Sequence, residues 1–270
     1  MPANEAVDLK AQAARLEQGV REAGRLARSM FGTSLNNWTK GEAASPVCEA
    51  DIAVDKLLRE RLTAGNGGIA WLSEESVDDP ARLQASHVWI VDPIDGTRAY
   101  IGGLPDWAVS VALVAGGRPI AACLYAPVHD EFFFAVAGRG ATRNGAAIAA
   151  APGADLANVR IGGPRKFLER LQAVAPPFQT MPRSHSLALR LARVAEGAFD
   201  AAFAGGSSHD WDLAAADLLV HEAGGAVTSF GGEAVTYNRP VPRHGMLVAA
   251  GRSRHAALIE MIRDERLGSP

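Results

Sequence analysis

One short stretch constrains this chain more than any other: an apolar run that ends on two carboxylates. Trp89, Ile90 and Val91 have the character of a buried strand, and residues 92–97 continue as Asp-Pro-Ile-Asp-Gly-Thr. Two acids crowded at the end of a buried strand repel each other and lose hydration unless a cation lies between them. The stretch therefore predicts a metal site where a strand leaves the core.

Gly96 and Thr97 add groups that suit phosphate. Glycine leaves the backbone open, and a short helix that begins here would present free N–H groups, which form an anion site. Thr97 contributes a hydroxyl. This stretch thus offers carboxylates for a metal, amides for phosphate and a hydroxyl. The combination favours hydrolysis of a phosphate ester.

Further acids lie at the ends of other predicted elements and could share the metal. They are Asp51 in the first turn of a helix, Glu74 and Glu75 after a short strand, and Asp210 and Asp212 ahead of an apolar helix. Oxygen ligands select Mg²⁺, Mn²⁺ or Ca²⁺ over zinc, and no histidine forms an HExxH-like pair. Taken singly, Asp51 or Asp212 is more typical of a helix cap than of a metal ligand.

Bulk properties exclude several classes of protein. The 270 residues suffice for one large domain or two modest ones, and a net charge of −3 gives no general attraction to nucleic acid or anionic membranes. No apolar run is long enough to span a bilayer, and residues 1–5 lack a secretory pattern. The distant Cys48 and Cys123 form no CxxC pair and no disulfide framework. A cytoplasmic protein is expected.

The hydrophobic pattern predicts two unlike halves. Residues 1–150 are expected to form an α+β half with an antiparallel sheet and most of the acids, because helical periodicity gives way to three β-like runs and an Asn144-Gly145 hairpin signal. Residues 151–270 alternate strands and helices. They are expected to form an α/β half that supplies Asp212 and the wall of the substrate site.

Four segments, in this order along the chain, resemble the inositol monophosphatase family of Mg²⁺-dependent phosphatases. They are SPVCEAD at 45–51, WLSEES at 71–76, DPIDGT at 92–97 and WDLAAADLLVHEAGG at 211–225. The family includes inositol monophosphatases, 3′(2′),5′-bisphosphate nucleotidases, one type of histidinol-phosphate phosphatase and relatives of fructose-1,6-bisphosphatase. The resemblance covers nearly the whole chain. It implies an α+β or α/β fold layered as an αβαβα sandwich, and a homodimer.

The same resemblance implies the roles of the site residues. The ligands of two or three Mg²⁺ ions, with Mn²⁺ as a possible substitute, would be Glu74, Asp92, the backbone carbonyl of Ile94, Asp95 and Asp212. Glu75 would stay outside this set or support a third ion. The catalytic residues would be Thr97 and Asp51, which orient the attacking water with help from Glu74, while the amides of Gly96 and Thr97 hold the phosphate.

Paired metal ions would supply the chemistry of such a site. One ion lowers the pKa of a water, and the other stabilises the leaving ester oxygen. The chain departs from the family at Cys48, where threonine or serine is usual, and a thiol is a poor helix cap. Lys40 either approaches the acids or is an ordinary solvated lysine.

The substrate is expected to be a small phosphate ester and no nucleic acid polymer. The residues expected to bind it are Asp95, Gly96, Thr97, Arg183, His185, His209 and Asp212. An inositol monophosphate is favoured, with a bisphosphate nucleotide or histidinol phosphate as alternatives. A second phosphate would need Arg183, Arg239 or Arg243. A silent phosphate-binding protein is the non-enzymatic alternative, although all of the implied ligands and Thr97 are present.

Overall fold

The computed structural model describes residues 7–40, 45–64 and 68–264. The residues on which the expectation about a secretory leader rests, 1–5, lie outside this part. The helices are α1 Leu9–Met30, α2 Glu49–Thr63, α3 Thr97–Ile101, α4 Arg165–Gln172, α5 Leu187–Ala195, α6 Asp210–Glu222 and α7 Arg252–Asp264, with a 3₁₀ turn at Pro80–Gln84.

The strands fall into two large sheets and two short ribbons. In chain order they are β1 Asn37–Lys40, β2 Ser45–Cys48, β3 Ile69–Ser73, β4 His87–Asp95, β5 Ala108–Ala115, β6 Arg118–Ala126, β7 Glu131–Val136, β8 Ala141–Arg143, β9 Ala146–Ile148, β10 Arg160–Gly162, β11 Gln179–Thr180, β12 Ala201–Ala204, β13 Ser208–His209, β14 Gly225–Ser229, β15 Arg243–His244 and β16 Leu247–Gly251.

The first large sheet has the order β3-β4-β5-β6-β7-β8-β9. Strands β3 and β4 run parallel, and every later pair is antiparallel. The Asn144-Gly145 turn joins β8 to β9 with both residues at positive φ, as the hairpin signal predicts. This sheet is therefore antiparallel except at its β3–β4 edge.

Both faces of this sheet are covered, so its central strands are apolar throughout. On β4, Trp89 and Val91 join the core beneath α1 and α2, while Val88 and Ile90 join the core beneath α5 and α6. This division follows the two-residue period of a strand. It places the polar end of β4, at Asp92 and Asp95, at the rim of two cores.

The second sheet has the order β11-β10-β12-β16-β14. Helices α5 and α6 pack between the two sheets, and α4 and α7 cover the far face of the second one. The layers are therefore helices, sheet, helices, sheet and helices, which confirms the αβαβα sandwich. The core around α6 draws on residues from both halves of the chain.

Two differences from the sequence pattern have local causes. Residues 45–48, expected to open the second helix, form β2 and pair with β1, so α2 begins only at Glu49. Helix α4 was not predicted, because it is short and follows Gly162, Gly163 and Pro164. No helix within the described ranges combines the length and the apolar character needed to cross a membrane.

Candidate metal centre

A bulge at the end of β4 brings Asp92 and Asp95 together. Asp92 pairs with Ser110 and Asp95 with Ala108, so three steps along β4 match two along β5. In a regular strand, residues three apart face opposite sides; the extra residue returns both acids to one side. The Ile94 amide donates to Asp92 Oδ1 at 3.0 Å and fixes the turn.

Asp95 is held by the beginning of α5 in the other half of the chain. Its Oδ2 accepts from the Ser186 hydroxyl and from the Ala188 amide, both at 2.6 Å, and the Leu187 amide lies 3.3 Å from Oδ1. A carboxylate at a helix N-terminus is stabilised by the free amides and the helix dipole. The sequence analysis missed Ser186, although a serine just before an apolar helix is a recognisable cap.

Asp212 both caps a helix and faces the other acids. Its Oδ2 accepts from the His209 amide at 2.6 Å, in the first turn of α6. Nevertheless, it offers an oxygen to a group formed with Asp92 and Asp95, in which the three ligand atoms lie within 4.8 Å of one another. The two roles considered for Asp212 from its sequence therefore coexist.

The electrostatics of this group favour a cation. Burial and the neighbouring acids raise the pKa of both Asp92 and Asp212 well above the usual range for aspartate. Burial also raises the pKa of Asp95, although the bonds from α5 oppose the shift. Oxygens from two buried aspartates and one half-buried aspartate, all within 4.8 Å of one another, suit a hard divalent ion such as Mg²⁺, so the residues fit the metal that the resemblance implies.

Glu74 lies in the cavity but outside that group. Its Oε1 is 3.4 Å from Lys40 Nζ, which also donates to the Glu74 carbonyl at 2.8 Å and to Glu75 Oε1 at 2.6 Å. The Glu75 side chain is only 3% exposed, so the ammonium is the counter-ion of a buried acid. Lys40 is thus engaged with the acids, one of the two possibilities that its sequence position left open.

Replacement of Lys40 by methionine is expected to tighten Mg²⁺ binding by about 2- to 5-fold, the range of a partly exposed ion pair. The change removes a cation that competes for Glu74. Calorimetric titration with MgCl₂ measures the effect, with Lys56→Met on the exposed face of α2 as the matched control. Weaker binding in Lys40→Met would mean that the lysine organises the site instead of competing for it.

Thr97, Asp51 and Cys48 form a buried chain beside the acids. Thr97 Oγ1 lies 3.1 Å from Asp51 Oδ1 and 3.0 Å from the Ile94 carbonyl, so its single proton serves one acceptor at a time. The Cys48 amide and thiol donate to Asp51 Oδ2 at 2.8 and 2.9 Å. The thiol therefore acts here as a donor to Asp51. Burial raises the pKa of Asp51 to about 6.

Of these three residues, Thr97 opens into a cavity of about 280 Å³. It is lined by Glu74, Asp92, Asp95, Asp212 and Thr97, by Ile94 and Gly96, by His185, and by the cationic side chains of Arg98, Arg183 and Arg190. Gly96 has φ +99°, and a Cβ there would lie 2.9 Å from the Asp106 carbonyl, so only glycine fits.

The two histidines expected in the substrate wall have different positions. His185 lines the cavity and its Nδ1 lies 3.0 Å from Asp106 Oδ2. His209 is absent from the described lining; its ring stacks on Trp211 at 4.6 Å. Arg98 and Arg190 were missed, although both lie inside segments that the sequence singles out.

Mg²⁺ affinity is expected to fall as the pH is lowered. The raised pKa values mean that Asp92 and Asp212 keep protons in the metal-free protein to a higher pH than free carboxyls do, and a cation must displace those protons. Titration calorimetry at about pH 6 and about pH 8, in buffers of different ionisation enthalpy, should detect proton release on binding. Asp264→Asn at the exposed end of α7 is the control, and binding without proton release would contradict the expectation.

Comparison with known proteins agrees with the motifs. The sequence profile of the inositol monophosphatase family matches residues 9–267. The chain is 31% identical over 259 residues to an inositol-1-monophosphatase of Caulobacter vibrioides, covering 91% of this chain and 98% of that protein. It is 34% identical over 226 residues to the Nus factor SuhB of Xylella fastidiosa, covering 79% of this chain and 80% of that protein.

A solved structure shows the same similarity to the SuhB proteins. The extragenic suppressor protein suhB from Bartonella henselae superposes with a TM-score of 0.82 at 29% identity, covering 94% of this chain and 98% of that chain. The similarity therefore extends through all the layers of the sandwich.

Proposed function

Because the chain belongs to the inositol monophosphatase family, whose members are phosphatases, we propose that it is a Mg²⁺-dependent phosphomonoesterase that hydrolyses a small soluble ester. One observation carries the proposal: three carboxylate oxygens within 4.8 Å of one another share a cavity with Thr97, whose hydroxyl donates to Asp51 behind it. Acids alone would suit a structural ion. A hydroxyl bonded to a buried base beside them suits hydrolysis.

The residues proposed to hold two or three Mg²⁺ ions, or Mn²⁺ in their place, are Asp92, Asp95, Asp212, the Ile94 carbonyl and Glu74. When bound, the metal would neutralise phosphoryl charge and make a water more acidic. Glu74 would bind the metal from the same cavity, where its Oε1 now lies 3.4 Å from Lys40 Nζ.

Thr97 and Asp51 would activate the water. Thr97 Oγ1 accepts a proton from the water and passes its own proton to Asp51 Oδ1, 3.1 Å away. With a pKa of about 6, Asp51 is mostly ionised at neutral pH and can receive that proton. The water oxygen bonds to phosphorus as the ester P–O bond breaks; the leaving alcohol oxygen takes a proton from solvent, and the proton held by Asp51 returns to solvent. No covalent phospho-enzyme is required.

The phosphate is proposed to rest on the backbone at the start of α3. Gly96 is the residue before that helix, and it approaches the Asp106 carbonyl too closely for any side chain. The amides of Gly96 and Thr97, at a turn whose φ of +99° at Gly96 favours glycine, would meet the phosphate oxygens. The proposal extends to a cytoplasmic homodimer, on the sequence and the family resemblance alone.

Inositol 1-phosphate is the first substrate to test, because several relatives carry the name inositol-1-monophosphatase. The decisive experiment measures phosphate release, with and without MgCl₂, from inositol 1-phosphate, adenosine 3′,5′-bisphosphate, histidinol phosphate and fructose 1,6-bisphosphate. Mg²⁺-dependent release from one of them supports the proposal. Binding of these esters without release from any would favour the silent phosphate-binding alternative.

A further inference from the structure

The leaving alcohol needs a proton from a group other than the Thr97–Asp51 pair. In phosphoryl transfer the attacking and leaving oxygens lie roughly in line, on opposite sides of phosphorus. Thr97 donates to Asp51, and in the proposed function this pair serves the attacking water. A proton donor for the alcohol oxygen must therefore come from another part of the cavity.

Among the described residues that line the cavity, one side chain suits that task. The four carboxylates are proposed metal ligands, and an arginine does not give up its proton in a protein. His185 is the one histidine among the described lining residues. Imidazole both releases and regains a proton near neutral pH, so the chemistry of the lining singles out His185.

A carboxylate fixes the orientation of the His185 ring. Nδ1 lies 3.0 Å from Asp106 Oδ2, and the same oxygen accepts from the His185 backbone amide at 2.6 Å. Because an ionised carboxylate only accepts hydrogen bonds, Nδ1 carries the proton of this contact. Nε2 forms no hydrogen bond with any residue in the described part of the chain. One ring nitrogen is thus anchored and the other is free to meet a ligand.

The His185–Asp106 pair lies beside the turn proposed to hold the phosphate. A Cβ at Gly96 would lie 2.9 Å from the Asp106 carbonyl and 3.3 Å from the Ser186 amide, so both segments pack around that turn. His185 directly precedes Ser186. Its ring therefore enters the cavity close to that turn, from a segment separate from the Thr97–Asp51 pair.

A carboxylate bonded to one nitrogen of a histidine prepares the other nitrogen for proton transfer. It fixes the orientation and the tautomer of the ring, and its charge stabilises the imidazolium. When Nε2 gives up its proton, Nδ1 keeps its own proton towards Asp106. The ring can therefore donate a proton without losing its anchor.

We propose that His185 is the general acid of the reaction and that Asp106 is its positioning residue. As the ester P–O bond breaks, its electron pair stays on the alcohol oxygen, which takes the proton from Nε2 of the imidazolium. The neutral ring then regains a proton from solvent water, so solvent remains the source of that proton. This inference rests on the proposed function and adds to it the group that delivers the proton.

Esters that differ in their need for a proton test the proposal. Glycerol 2-phosphate and inositol 1-phosphate release alkoxides, which leave poorly without a proton, whereas 4-nitrophenolate is a stable anion. His185→Gln is expected to lower kcat/KM about 10²-fold for the two alkyl esters and less than about threefold for 4-nitrophenyl phosphate, since general acid–base catalysis contributes on that scale. Glutamine keeps an N–H donor but transfers no proton, so a mere loss of binding contacts would affect all three esters alike.

Two further variants and a binding measurement complete the test. Asp106→Asn is expected to show the same selectivity with a smaller loss, about 10-fold for the alkyl esters, because the imidazolium loses its partner charge but not the acid itself. His221→Gln, at the exposed end of α6, is the matched control and should affect no ester. Calorimetric titration with MgCl₂ should give the same affinity for His185→Gln as for the parent, and thermal unfolding shows that each variant is folded.

The outcomes separate the general acid from the proposed function. An equal loss for all three esters in His185→Gln, or no loss for the alkyl esters, would overturn the general acid and leave the phosphatase standing. Weaker Mg²⁺ binding in His185→Gln would likewise assign the residue to the metal site. No Mg²⁺-dependent release from any of the three esters by the parent would overturn the proposed function and the general acid with it.

Discussion

Replacement of Asp92 by asparagine is expected to lower Mg²⁺-dependent phosphate release by about 10²-fold or more, since metal ions contribute several kcal/mol to such reactions. Burial raises the pKa of Asp92 and the neighbouring carboxylates of Glu74, Asp95, Asp212 and Asp51 raise it further, which places Asp92 at the centre of the negative charge. Asparagine retains an oxygen for the Ile94 amide. The variant therefore loses charge while the turn can persist.

The same variant is expected to be more stable than the parent when metal is removed. An acid whose pKa is raised by folding destabilises the folded state once the pH exceeds its unfolded pKa of about 3.9, and the cost grows until the folded pKa is reached. Asparagine removes that cost. At neutral pH with a chelator, Asp92→Asn should unfold at a higher temperature than the parent, and added MgCl₂ should narrow or reverse the difference.

Activity and stability thus change in opposite directions, which separates a site defect from a folding defect. Asp264→Asn on the surface controls for the loss of one charge. A variant that keeps most of its activity at saturating Mg²⁺ would show that Asp92 is no shared ligand. Unfolding at a lower temperature without metal would show that the acids do not repel as described.

Thr97→Ala should lower kcat by about 10²- to 10⁴-fold, the contribution typical of general-base assistance. It deletes the hydroxyl that bonds to Asp51 and leaves every carboxylate in place. Mg²⁺ affinity, measured by calorimetry, should change little. The effect therefore separates the proton relay from the metal site.

Thr97→Ser is the matched control because it retains the hydroxyl in nearly the same volume. It should recover most of the activity lost in Thr97→Ala. A loss below about fivefold in Thr97→Ala, with unchanged metal affinity, would refute the Asp51–Thr97 relay, since such assistance is typically much larger. An equal loss in both variants would point to the Thr97 methyl group and its packing.

The sequence was most informative where a local pattern carried the chemistry. Asp92 and Asp95 could be assigned to one site because they end an apolar run. Periodicity indicated an antiparallel first half and an alternating second half, while the layered sandwich was implied by the family resemblance. What brings the two acids to one face is a bulge opposite Ser110 and Ala108. A bulge depends on pairing with the partner strand, so the register of β4 against β5 could not be predicted from the sequence.

Contacts between distant segments account for the remaining differences. Glu74 lines the cavity of the three aspartates, so its role as a ligand stays a prediction; its contact with Lys40 comes from β1, a strand that the sequence did not predict. His209 was expected in the substrate wall. In the structure its ring stacks on the ring of Trp211, with the ring centroids 4.6 Å apart. Both outcomes depend on which side chains come into contact in the folded protein, and spacing along the chain does not determine those contacts.

The way Asp95 is held has a consequence for the order of events during synthesis. The carboxylate belongs to β4, but the hydrogen bonds that the structure gives it come from Ser186, Leu187 and Ala188, about ninety residues later. A nascent chain that has emerged only to residue 150 carries most of the acids and lacks the helix that fixes Asp95. We expect such a chain to bind Mg²⁺ poorly. We therefore expect Mg²⁺ to bind only late in synthesis, once residues 186–188 have folded against β4. A chain that is still incomplete on the ribosome is expected to hydrolyse no phosphate ester at any Mg²⁺ concentration.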